Sequence, residues 1–223
     1  MELDLQLDKT GFPMVWMDSI NAYVQWLPVT KIQMEYFLAE TNDAIFDETW
    51  YYQLNQLNQR IAPTQVQSNN YWQVFATGIL PRETQRYALW CGRGYSLITS
   101  DEWQQVYAEA RDIEAESDVI KQVTGVKDIK ERPRTLLQRV HRALPADNGV
   151  DGQRTLADLM LLRMGIMEFV FEDHNRSTFV GLGLTNPDFV GSFRRPEEPQ
   201  TLKNPSEGSR MRNYGFRLVY RGA

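Results

Sequence analysis

Between Pro28 and Asn42 the chain reads PVTKIQMEYFLAETN, and its apolar side chains return on a helical period. Met34, Phe37 and Leu38 stand at i, i+3 and i+4, which gives one buried face. Thr30 and Gln33 have capping-box spacing, and Val29 before the cap can staple onto Met34. The pattern predicts a helix here. It blurs over Asp47 to Phe75, a run rich in Asn, Gln and aromatics, where turns and irregular structure are expected. Trp72, Val74 and Phe75 are read there as a brief buried strand. In LPRETQRYALWCG, Pro81 suits a first helical position, Tyr87, Ala88 and Cys91 share a face, and Gly92 and Gly94 end the helix. In GYSLITSDEW, residues 94–103, Thr99 and Glu102 form a second capping box. Trp103, Val106, Tyr107 and Ala110 then follow at i, i+3, i+4 and i+7.

Beyond Arg111 the pattern changes. Residues 112–152 run from acidic (Asp112, Glu114, Glu116, Asp118) to basic (Lys127, Lys130, Arg132, Arg134, Arg139, Arg142). TLLQRVHRAL can form a short amphipathic helix, with ERPR and PADNGVDG expected to break the region. The final third, with MGIMEFVFED, STFVGLGL and YGFRLVY, alternates apolar and polar positions and predicts short strands between long loops. Early helices followed by irregular β structure, without βαβ alternation, give an α+β class. One domain spanning 1–223 is expected, with a charged insertion at about 112–152.

Composition narrows the function. Of 223 residues, 42% are apolar and 12% aromatic, enough for a substantial core. A net charge of −5 argues against general nucleic-acid binding. No apolar run is long enough to span a membrane. The N-terminal MELDLQLDKT is acidic and lacks the apolar core of a signal peptide, so a cytoplasmic protein is expected. Cys91 is the single cysteine, which excludes an internal disulfide and any multi-cysteine metal site.

Taken in order, PVTKIQMEYFL, RETQRYALW, YSLITSDEWQQVYAEA, MGIMEFVFED and YGFRLVY resemble the successive blocks of the formylglycine-generating-enzyme-like domain, also called the sulfatase-modifying-factor domain. The resemblance runs from about Pro28 to the C-terminus and leaves 112–152 without a counterpart. It implies a glycine-rich, loop-heavy relative of the C-type-lectin fold, with two or three helices and short strands. Catalytic relatives are expected to use a copper-holding cysteine pair or a three-histidine iron site. Cys91 stands alone, and it reads as a buried packing thiol on its predicted helix face. His141 and His174 are the two histidines, and both read as solvent-facing. Gly165 takes the place of an asparagine that often helps relatives bind calcium. Glu168, Glu172, Asp173 and Asn175 still supply oxygen donors, so calcium stays open, though a solvated acidic turn is the favoured reading and no cofactor is expected.

The resemblance therefore implies a non-catalytic module that recognises a protein partner, of a kind found in bacterial signalling and defence systems. The expected surface lies in Asn186 to Tyr214, where Phe189, Phe193, Arg194, Arg195, Arg210, Arg212 and Tyr214 combine the residue types enriched at interface hot spots. The charged insertion offers a second docking surface. Two other readings stay open: a metal-dependent oxidoreductase with an unrecognised site, and a structural subunit of a larger complex.

Overall fold

The alternation Leu3, Leu5, Leu7 at the N-terminus starts a sheet, which the acidic reading of this segment passed over. The computed structural model describes residues 2–115, 118–144, 154–162, 166–172, 179–182, 200–201 and 210–222. Strands β1 (Leu5–Leu7), β2 (Pro13–Met17) and β3 (Ala22–Gln25) form consecutive antiparallel pairs, with Leu5 opposite Val15 and Val15 opposite Val24. Asp8 fixes the first turn. Its carboxylate accepts from the Thr10 and Phe12 amides, the Thr10 hydroxyl, and the Gln25 and Gln33 side chains. Helix α1 (Lys31–Glu40) follows, closed at its start by the Thr30–Gln33 capping box that the spacing predicts.

Helix α2 (Glu48–Leu57) replaces the expected irregular segment. Asp47 caps it by accepting from the Trp50 amide, and Trp50 and Leu54 bury its inner face. Tyr71–Val74 is a 3-10 turn rather than a strand, although Phe75 bridges to Thr30. Helix α3 (Pro81–Cys91) starts at Pro81 as predicted and buries Tyr87, Ala88 and Cys91. Gly92 (φ 128°) and Gly94 (φ 91°) then turn the chain into β4 (Tyr95–Leu97). A Cβ at Gly94 would lie 2.4 Å from the Arg221 carbonyl, so this turn needs glycine for space as well as for φ. Helix α4 (Ser100–Arg111) carries the complete Thr99–Glu102 capping box and buries Trp103, Val106, Tyr107 and Ala110.

The charged stretch joins the main core. Helix α5 (Val119–Thr124) buries Val119 and Val123, and α6 (Glu131–Ala143) buries Leu136, Leu137 and Val140 among the residues packed on Trp26 and Trp103. ERPR does not break this segment. Pro133 lies in the first turn of α6, where an amide has no intrahelical acceptor to lose. After the short α7 (Leu156–Leu159), strand β5 (Met167–Phe171) pairs antiparallel with β6 (Phe179–Leu182), which pairs with β7 (Gln200–Thr201). Strand β8 (Tyr214–Gly215) runs parallel to β5. The last strand, β9 (Leu218–Tyr220), inserts between β3 and β4, so the five-stranded antiparallel sheet has the order β1-β2-β3-β9-β4. Helices and mainly antiparallel strands make the protein α+β, but the described residues hold seven α-helices rather than the two or three expected, because α2 and the charged stretch fold as helices.

One ion pair ties these parts together. Arg217 and Glu168 are fully buried and doubly bonded, Nε to Oε2 and Nη2 to Oε1, each at 2.7 Å. The same guanidinium donates to the carbonyls of Gln25, Trp26 and Met160. It therefore joins the end of β3, the turn after α7, β5 and the C-terminal segment. The Phe216 carbonyl accepts from the Val29 amide, and the Val29 carbonyl from the Ala76 amide.

Candidate functional site

Of the expected partner surface, Phe189, Phe193, Arg194 and Arg195 lie outside the described residues. Arg210, Arg212 and Tyr214 lie within them, and they do not form one patch. Arg210 turns inward as a structural clamp. Both of its terminal nitrogens bond to Glu83 at 2.7 Å, and Nη1 also donates to the Gly78 carbonyl. Glu83 is itself buried, accepting from the Trp50 indole and capping the Leu80 amide. Tyr214 is 2% exposed and packs on Phe169 in the second apolar cluster. Arg212 alone of the three is exposed, its guanidinium 5.8 Å from the Trp72 ring.

Helix α3 presents a surface that the sequence reading missed. Its inner face is committed to the core, which leaves Arg82, Gln85, Arg86 and Leu89 on the outer face, with Arg93 just beyond its end. Leu89 is 79% exposed, the most open of the large apolar side chains among the described residues. Beside it runs a groove of about 290 Å³ floored by Ala88, Tyr95, Leu97 and Phe171. Arg86 is paired with Asp43. Gln85, Leu89 and Ser96 complete the lining of this groove, and none of the three arginines lines it.

The remaining chemistry is largely internal. Cys91 is buried, and burial pushes its thiol far above the usual range, so the thiolate needed for soft-metal or nucleophilic chemistry is disfavoured. His141 is not solvent-facing. It is 2% exposed, and its Nε2 accepts a hydrogen bond from the Trp26 indole at 2.9 Å. Burial lowers its pKa to about 4, so the ring is neutral. His174 lies outside the described residues, as do Gly165, Asp173 and Asn175 from the calcium reading. Glu168 is removed from that reading, because Arg217 occupies both its oxygens, and Glu172 is exposed. Among the described residues, no three His, Cys, Asp or Glu side chains converge as a metal-ligand group.

A cationic cluster assembles where α1, α2 and α6 meet. Glu35, one turn after Lys31, accepts from Tyr51 (2.8 Å), Arg60 Nε (2.7 Å) and Arg132 (2.7 Å). These donors hold its carboxyl below the usual range against the opposing effect of burial. Lys31 is buried and donates to the Asn58 carbonyl at 2.5 Å. Burial first, and then the Arg60 charge, lower its pKa to about 7. The cluster's five residues come from α1, α2, the loop after it and α6, and only Lys31 and Glu35 share a helical spacing, so no linear pattern announces the cluster.

In comparisons with known proteins, no family model, no curated protein and no solved structure matches the chain. Among the described residues no helix is long and apolar enough to cross a membrane.

Proposed function

We propose that the protein is a non-catalytic recognition module on a formylglycine-generating-enzyme-like, C-type-lectin-related scaffold, and that it binds a protein partner through the α3–β4 face. The scaffold reading draws support from how the resembling blocks meet. Val29 of the first block bonds to Phe216 of the last, Phe171 of the fourth to Ile98 of the third, and Glu168 to Arg217. Four of the five blocks meet in these contacts, which supports a common framework.

The observation that carries the functional reading is Leu89, held open beside an apolar groove and flanked by Arg82, Arg86 and Arg93. Burying it and the groove floor would remove apolar surface from water, while Arg82 and Arg93 would select a partner segment with acidic residues beside its apolar anchor. A bacterial signalling or defence assembly is the setting this family resemblance suggests.

The chain carrying Leu89→Asp and Arg93→Glu, both at exposed positions, is compared with the native chain as bait in extracts of its host. The proposal expects the same partner to be captured by the native chain and its recovery to fall at least about tenfold with the variant, the loss of roughly 1.4 kcal/mol. Equal recovery would place recognition elsewhere. Stoichiometric copper or iron in the purified native protein would instead favour the oxidoreductase reading.

A further inference from the structure

The cluster around Glu35 carries more positive charge than its one carboxylate can balance. Glu35 Oε1 already receives Tyr51 and Arg60 Nε, and Oε2 receives Arg132 and a longer bond from Arg60 Nη2. Its acceptor capacity is used. Lys31, the third cation, has a backbone carbonyl and no carboxylate as its hydrogen-bond acceptor. Among the described residues Glu35 is the only carboxylate bonded to Arg60 or Arg132. The groups facing Lys31 are thus Glu35 on its own helix and Asn58 and Arg60 from the loop after α2, with Tyr51 from α2 and Arg132 from α6 joined to it through Glu35. Lys130, at the start of α6, adds a further cation 5.6 Å from the Tyr36 ring.

Geometry leaves the excess charge reachable. The side chains of Arg60 and Arg132 are 43% and 39% exposed, while Lys31, which feels the Arg60 charge, is buried. Each guanidinium spends only part of its five donors on Glu35, and both are fixed by that shared carboxylate. Two oriented forks next to a buried ammonium match a compact dianion better than a single carboxylate. We propose that this site, distinct from the α3–β4 face, binds a small oxyanion of the phosphate class between Arg60 and Arg132.

The bound dianion would favour the Lys31 ammonium, so binding draws a proton onto Lys31 near and above neutral pH and tightens as pH falls through about 7. Sulfate is the probe for this dependence, since it stays dianionic where phosphate titrates. Calorimetric titration with sodium sulfate against a chloride control of equal ionic strength, in two buffers of different ionisation heat, reads affinity and proton uptake together. The expected result is saturable one-site binding with proton uptake, weakened at least about tenfold by Arg132→Gln or by Arg60→Gln. Lys31→Met is expected to bind without proton uptake. Inorganic phosphate should compete with sulfate for the site. No saturable binding beyond the chloride control, or unchanged affinity in either folded arginine variant, would overturn the proposal.

Discussion

Single side chains show where types could be read from the sequence but roles could not. Arg210 belongs to the class expected at a binding surface, yet its clamp on Glu83 depends on a carboxylate more than a hundred residues away being buried beneath it. Nothing in the spacing of either residue encodes that. His141 makes the same point, since its sequence neighbours are charged while its folded neighbour is the Trp26 indole. Its titration gives a prediction with a definite sign. The unfolded ring takes up a proton near 6.5 and the folded ring only near 4, so between these values the unfolded state binds more protons. The contribution of His141 is therefore fully present above about 6.5 and is lost as pH falls toward 4, by on the order of 3 kcal/mol. His141→Gln, which keeps an acceptor for Trp26, should show a flatter fall in urea-unfolding stability over this window. A pH profile parallel to that of the native chain would refute the assignment.

Elements were legible where local chemistry and burial agree. Helices α1, α3 and α4 all begin at caps or at a proline that the sequence displays; α3 and α4 bury the predicted stripe, and α1 buries Met34 and Phe37 of it with Leu38 half-buried. Helix α2 was hidden because Asn and Gln surround Trp50 and Leu54, so its stability comes from packing on Phe46 and from the bond to Glu83 rather than from propensity. Strands β1 to β3 were missed for a related reason: an acidic alternating segment reads as solvated until its partner strand is known. The cap of α4 gives a test at this scale. Thr99 accepts from the Glu102 amide, Glu102 accepts from the Thr99 amide, and Glu102 also holds Arg221 at 2.5 Å. Thr99→Ala should cost about 1 kcal/mol in denaturant unfolding, and Thr99→Ser should recover most of it. Equal stability of all three chains would mean that the cap contributes nothing.

At the scale of the whole molecule, the α+β class could be read early, while the way the chain closes on itself could not. The last strand lies between β3 and β4, and Arg217 gathers four segments at a point with no exposure to water. Desolvation offsets much of the attraction in a buried pair of this kind, while removing either partner would leave the other charge uncompensated. Among the described residues the outer face of α3 leaves Leu89 exposed. Leu89 and the groove beside it carry the proposed function, and hydrogen exchange on the native chain with and without its captured partner tests it most directly. The account predicts slowed exchange across residues 82–97, with amides of the oxyanion cluster near Glu35 unchanged. Protection confined to other segments, with 82–97 exchanging as in the free chain, would contradict it.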